Sequence, residues 1–342
     1  MATILHFGFP KTGTTFLQQF FRRNAAALKQ AGIAYPLPDK DFKQRALKHL
    51  VAKTPSPSRS DELFRLRDTL DAEWACAPDV NILLSVEEIS SPLMSRIRPD
   101  TVAAIRDFIH RDGHPVRLLV YVRRPEDFYL SMMQEKFKRS GGLVPPADFR
   151  TDFAAIIRIY EEAFETRAIV RPFERQQWRE GDLLVDFFDQ IRDLADVDVA
   201  ALSPPAGRAN ESLSAETMFA LDLLRRFPDS MTEKHLYSFA ESERLWRKLR
   251  DIAEEAGYTR KPRLFAPVAE TVAAANRHDA DELLSRYGVR FHTRPEVSDD
   301  PPPPDTGRLS DLEGILPLNR DHALRLISVL CARENAYRLK NI

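Results

Sequence analysis

Cysteine is nearly absent: Cys76 and Cys331 are the only two in 342 residues and lie far apart. Two isolated thiols argue against a disulfide framework and against the paired spacing of a cysteine-ligated metal site. A reducing compartment fits them, each as a small buried apolar side chain. Long hydrophobic runs are missing too. No stretch of about 18 apolar residues occurs, so no transmembrane helix is expected. The first residues lack the basic and apolar regions of a signal peptide, and a cytoplasmic location is the expectation. Charge of one sign is also lacking: Lys plus Arg number 50 and Asp plus Glu 51, a formal net charge of -1. That balance argues against a nucleic-acid partner, which would need a surplus of cations facing phosphates. It leaves room for a local basic pocket around one small anion. Length and a 43% hydrophobic share suit a soluble globular protein of one large domain or two modest ones.

What is present begins with TILHFGF, Thr3 to Phe9, an apolar run that ends at glycine and proline and predicts a buried strand. Beyond Gly13, the residues Phe16, Leu17, Phe20, Phe21, Ala25 and Leu28 recur at helical spacing, and Gly32 is a plausible stop. Two further buried strands are expected at Asn81–Val86 (NILLSV) and Val116–Val122 (VRLLVYV), with a helix over about 99–111 between them. A short strand is expected at Ala168–Pro172, and helices at about 125–139, 151–164, 182–194, 212–226 and 241–256. Apolar strands alternating with helices predict an α/β fold, a central parallel sheet with helices on both faces. Residues 54–60 (TPSPSRS) and 140–146 (SGGLVPP) read as loops. Residues 294–306 read as a proline-rich, acidic linker. The organisation that follows is an α/β domain over 1–293, that linker, and a helical tail over 307–342 with Leu324, Leu326, Ile327 and Leu330 as its apolar stripe.

The chemistry gathers between the first strand and helix, in HFGFPKTGTTF. A nucleotide-binding loop of the common kind, G-x-x-x-x-G-K-[ST], has lysine directly after its second glycine. Here Gly8 and Gly13 keep the separation, Thr14 follows the second glycine, and Lys11 stands two residues before it. A glycine loop in this context aims backbone N–H groups at one point, and the helix dipole adds positive character there. Gly13 lets the backbone approach a ligand closely. Thr14 and Thr15 add hydroxyl donors, and Lys11 adds a full positive charge over the bound anion. The fold expected is therefore P-loop-like, in three layers.

The string from Pro10 to Leu17, PKTGTTFL, resembles the 5′-phosphosulfate loop of the sulfotransferases that use 3′-phosphoadenosine 5′-phosphosulfate (PAPS), whose pattern is P-K-[ST]-G-T-T-x-[LF]. The resemblance implies that Lys11, Thr12, Gly13, Thr14, Thr15 and Phe16 hold the phosphosulfate, with Lys11 beside the oxygen that bridges phosphorus and sulfur. The family's second signature is a strand ending in arginine, then a helix carrying serine eight residues after that arginine. Here VRLLVYV runs into Arg123, and Ser131 stands eight residues on, in YVRRPEDFYLS. The resemblance assigns these two to the 3′-phosphate, for which a guanidinium fork and a hydroxyl are suited donors. It implies in-line sulfuryl transfer from PAPS to a hydroxyl or amine acceptor, leaving 3′-phosphoadenosine 5′-phosphate, with no metal. The acceptor is expected to be a carbohydrate or small molecule.

Transfer to a hydroxyl needs a base for its proton, worth about 10²–10⁴-fold when positioned. Glu87 and Glu88 follow the second buried strand, at the carboxyl edge where parallel sheets gather ligands. Glu87 is the preferred base, because strand alternation would set it on the side of Ser85 and because S-x-E resembles bacterial-type members of the family. A carboxylate favoured by a helix N-terminus is the alternative. Arg208, Asn210 and Ser212 resemble an R-x-N-x-S segment of the same members, with a helix N-cap as the plainer account of Ser212 or Ser214. Lys136 and Arg139 continue the helix of Ser131 as a solvated face. His6 and His114 receive no role, and Trp74, Trp178 and Trp246 are packing residues. The late R-K-G segment of the eukaryotic cytosolic branch is absent; the nearest string is Arg260–Lys261–Pro262. The resemblance is firm over about 1–175, thinner to about 290, and absent beyond. Two other functions remain open: a P-loop kinase-like phosphotransferase and a non-catalytic nucleotide-binding module.

Overall fold

A computed structural model describes residues 1–38, 44–51, 57–77, 79–90, 97–139, 142–205, 212–226, 239–293, 295–300 and 311–340. Along the chain, β1 (Thr3–His6) leads into α1 (Thr14–Arg23), α2 (Ala25–Gln30) and β2 (Ile33–Ala34). Then come α3 (Pro57–Cys76), β3 (Asn81–Ser85), α4 (Pro99–Ile109), β4 (Val116–Val122), α5 (Pro125–Arg139), α6 (Phe153–Phe164), β5 (Ala168–Pro172) and α7 (Leu183–Asp189). The rest is α8 (Ala215–Arg226), α9 (Phe239–Glu255), β6 (Leu264–Phe265), α10 (Ala266–Ala275), α11 (Arg277–Tyr287), β7 (Val297–Ser298), α12 (Leu312–Ile315) and α13 (Arg320–Lys340).

The chain forms two compact units, each built from separated stretches. The first joins 1–124, 151–209 and 277–293. Its five strands form one parallel sheet in the order β2-β3-β1-β4-β5, so the molecule is α/β and P-loop-like. The three inner strands are buried along nearly their whole length, as in a sheet covered on both faces. One face carries α1 and α7: Leu17, Phe20 and Phe21 meet Leu183, Phe187 and Phe188 over Ile4, Leu83 and Leu119. On the other, α6 packs on β4 and β5 and against α4. There the Phe7 and Tyr160 rings stack at 4.1 Å, and Phe9 lies 4.5 Å from Phe153.

The start of α6 is capped from a distance. Asp152, its flanking residue, has φ 50 and offers no side-chain cap. Asp279 of α11 accepts from the N–H groups of Phe153 at 3.1 Å and Ala154 at 2.8 Å, and from the Thr151 hydroxyl. Burial outweighs these bonds and holds the Asp279 carboxyl above its ordinary range.

The second unit joins 125–150, 210–276 and 294–342. Within it α13 packs on α8 and α9, α5 packs on α8, α9 and α10, and β6 pairs with β7 in parallel. The inward stripe of α13 is Ala323, Leu326 and Leu330, whereas Leu324 is 48% exposed, which corrects the expected stripe. Among the described residues no helix is long and apolar enough to cross a membrane.

Two more expectations change. Cys76 and Cys331 are exposed, not buried: one ends α3 and the other stands on an outer face of α13. Residues 57–60 open α3 instead of continuing a loop, since proline is well suited to a first helical turn, where its missing N–H costs nothing. Residues 54–56, 140–141, 208 and 210, parts of expected loops and of the R-x-N-x-S segment, lie outside the described residues.

Candidate functional site

The sheet order locates a site before any side chain is considered. From β1 the chain moves to β2 on one side of the sheet, and β5, which follows β4, lies on the other. The crevice between the carboxyl ends of β1 and β4 is a topological switch point, where open parallel sheets gather ligands. The glycine loop leaves β1 at this edge, and Arg123 directly follows β4.

The loop is held in shape by its own hydroxyls and by two glycines. Thr12 Oγ donates to the Phe9 carbonyl at 2.6 Å, and Thr14 Oγ approaches the same oxygen at 3.5 Å. Thr12 and Thr14 are buried; Lys11, Thr15 and Phe16 are half-buried. Gly13 caps α1 with φ 77, and a Cβ on it would lie 2.6 Å from Leu183 Cδ2 and 3.0 Å from Phe173 Cε2. With glycine at the cap, the capping residue has no side chain to bond the first-turn N–H groups of α1, which leaves that end electropositive. Lys11 has φ 64, a left-handed conformation that costs a non-glycine residue about 1–2 kcal/mol.

Arg123 reaches this loop from 112 residues away. Its Nη1 donates to the Lys11 carbonyl at 3.1 Å, and its guanidinium lies 5.8 Å from the Phe173 ring centre. Phe173, the first residue after β5, thus backs both Gly13 and Arg123. Sequence reasoning missed it, although an aromatic at the same carboxyl edge was a visible signal. The adjacent Arg124 does different work: it donates to the Thr293 carbonyl and, at 3.0 Å, to the Thr293 hydroxyl. Glu174 closes that clasp by accepting from the N–H groups of His292 and Thr293, each at 2.8 Å, and from Gln177 and the Thr293 hydroxyl. Burial alone would raise the Glu174 carboxyl, but these four donors bring it down to about 2. Ser131 lies half-buried on α5, in the second unit.

The end of β3 is tied to the loop as well. Val86 N–H donates to the His6 carbonyl at 2.9 Å, and Ser90 Oγ donates to the Gly8 carbonyl at 2.8 Å. Gln18 of α1 donates to the Ser85 carbonyl at 2.8 Å, while Gln44 accepts from Ser85 N–H at 2.7 Å. The strand stops at Ser85, and residues 87–90 form a turn closed by Ser90 N–H to the Glu87 carbonyl at 3.3 Å. Strand alternation therefore does not extend from Ser85 to Glu87, and both half-buried glutamates belong to a turn pinned beside the glycine loop.

Beneath the loop, His6 is fully buried and its imidazole is held at about 3 by loss of solvent, so the ring is neutral. Its Nδ1 lies 2.8 Å from Ser85 Oγ. In the second unit, Ser212 Oγ donates to Gln134 at 3.0 Å, and Ser214 Oγ caps Thr217 N–H at 3.2 Å, which makes Ser214 the N-cap of α8. Trp74 and Trp246 are buried, and Trp178 donates to the Pro172 carbonyl at 3.1 Å; all three pack. Among the described residues no group of three or more His, Cys, Asp or Glu side chains is placed to hold a metal ion. No family model matches the chain, and no curated protein sequence matches it.

Proposed function

We propose that this protein is a sulfotransferase that moves a sulfuryl group from PAPS to a hydroxyl or amine acceptor, a carbohydrate or small molecule. One observation carries the proposal. A P-K-T-G-T-T loop at the β1 exit and an arginine at the β4 exit, joined by Arg123 Nη1 to the Lys11 carbonyl, share the switch point of the sheet. The fit to a phosphosulfate rests on the uncapped first turn of α1, the Gly13 position closed to any side chain, and a cation within the loop instead of after it.

Bound PAPS supplies the sulfuryl group and a phosphate leaving group. The first-turn N–H groups of α1 and the Lys11 ammonium face growing negative charge, the kind of preorganised donor set that is worth most in catalysis. Arg123 fixes the donor's orientation from the β4 side. Glu87, with Glu88 as its neighbour in the same turn, is the candidate to accept the acceptor's proton. Ser131 enters the reading through its sequence pattern alone.

The test is transfer of labelled sulfate from PAPS to a fractionated panel of glycans and small alcohols. Transfer by the wild type and its loss in Lys11→Ala support the proposal. No transfer to any fraction, or turnover unchanged in Lys11→Ala, contradicts it.

A further inference from the structure

A buried histidine lies directly under the loop and no step above uses it. His6 is the last residue of β1, in register with Ser85 of β3, and has no exposed surface. Its ring stands edge-on to Tyr121 at 6.3 Å and to Phe187 at 5.5 Å. Nδ1 meets Ser85 Oγ, but Nε2 is buried with no hydrogen-bond partner among the described residues. A polar atom left so is destabilising, and in a native fold it calls for a reason.

The direction of Nε2 supplies one. A Cβ placed on Gly8 would lie 3.1 Å from His6 Nε2 and 2.4 Å from Thr14 Oγ1. The missing side chain of Gly8 is thus the gap across which imidazole and threonine hydroxyl approach one point. Thr14 is itself poorly satisfied, since its bond to the Phe9 carbonyl is long at 3.5 Å. A neutral imidazole has one N–H. When the Ser85 hydroxyl donates to Nδ1, that N–H is on Nε2 and faces the gap.

We infer that His6 is a positioning residue for the anion loop: its Nε2–H donates to Thr14 Oγ, which turns the Thr14 hydroxyl to donate to the bound anion. The chain then runs from the Ser85 hydroxyl through the imidazole to the Thr14 hydroxyl and the anion, each bond polarising the next. The Thr14 hydroxyl lies 3.5 Å from the Phe9 carbonyl, and the inferred bond to the anion takes the place of that long contact. The inference rests on the loop being an anion site, as proposed above, and is indifferent to which phosphate it holds.

Side-chain mimicry tests it, because a glutamine amide nitrogen can stand near Nε2 and an asparagine amide nitrogen near Nδ1. His6→Phe, His6→Asn, His6→Gln and Thr14→Val would be compared by calorimetric binding of 3′-phosphoadenosine 5′-phosphate, pyrophosphate and ATP with magnesium, alongside melting temperature. The expected result is binding about tenfold weaker in His6→Phe, His6→Asn and Thr14→Val, with His6→Gln within about threefold of wild type. His6→Phe combined with Thr14→Val should lose no more than either alone, since both remove one chain. Wild-type binding that survives unchanged in His6→Phe, or equal losses in His6→Asn and His6→Gln, overturns the inference and leaves the proposed function standing. If His6→Phe fails to fold, Thr14→Val decides: unchanged anion affinity there overturns the inference. Wild type that binds none of the three probes overturns both.

Discussion

Lys11 holds two properties that substitution can separate. Its side chain supplies the loop's cation, and its backbone holds a left-handed conformation that glycine adopts without strain. Lys11→Ala and Lys11→Gly should both lose sulfuryl transfer, by about 10²–10³-fold. Lys11→Gly should nevertheless be the more stable of the two by about 1 kcal/mol in urea denaturation, because relief of strain outweighs the added freedom of the unfolded chain. Equal stabilities would show that the loop relaxes out of this conformation in solution. Gly13 is the opposite case. Gly13→Ala drives a Cβ into Leu183 and Phe173 at a positive φ, and should cost about 2–3 kcal/mol in the same measurement. At this scale residue type and spacing were enough to single out Lys11, Gly13 and Arg123, which the fold brings to one edge of the sheet. The sequence was silent where a role comes from a distant neighbour. Nothing around His6 announces that Gly8 leaves room for it, the aromatic after β5 marks an edge without pointing to Gly13, and only the fold puts Thr293 against Arg124.

Among elements, what could be read was what local pattern alone determines. The strands at Val116–Val122 and Ala168–Pro172 stand where their apolar runs predicted, the first buried along most of its length and the second an edge strand with alternating burial. Helix α3 went unread because the prolines around 55–57 outweighed the spacing of Leu66, Leu70 and Trp74, which are its buried face. β3 ends at Ser85, one residue before the expected Val86, and Glu87 beyond it stands in a turn, so strand alternation does not set its side. Long-range caps were out of reach of any local pattern. Asp279→Ala should cost about 2 kcal/mol, since it leaves the first-turn N–H groups of α6 without their acceptor; a loss under 0.5 kcal/mol in thermal unfolding would count against the cap. The Glu174 clasp makes a prediction in pH. Its folded carboxyl titrates at about 2 against an ordinary 4.5, so its stabilisation is full above the ordinary value and fades as pH falls toward 2. Glu174→Gln should therefore be less stable than wild type near neutrality, by up to about 3 kcal/mol, and the gap should close in acid. A gap that stays constant with pH would remove charge from the account of the clasp.

For the whole molecule, the α/β class and parallel sheet were legible because strands and helices alternate, whereas the two interleaved units were not. A unit assembled from three separated stretches has no single boundary for composition to mark. The function proposed is likewise a claim about a whole constellation: strand order sets the carboxyl ends of β1 and β4 side by side, and the proposal gives each a phosphate-binding group. The most direct measurement is calorimetric titration with 3′-phosphoadenosine 5′-phosphate and with ATP, each with and without magnesium, in wild type and Arg123→Lys. The account predicts binding of the bisphosphate that is indifferent to magnesium and about tenfold weaker in Arg123→Lys, where the guanidinium fork is lost. Tight, magnesium-dependent binding of ATP together with no binding of the bisphosphate would contradict it.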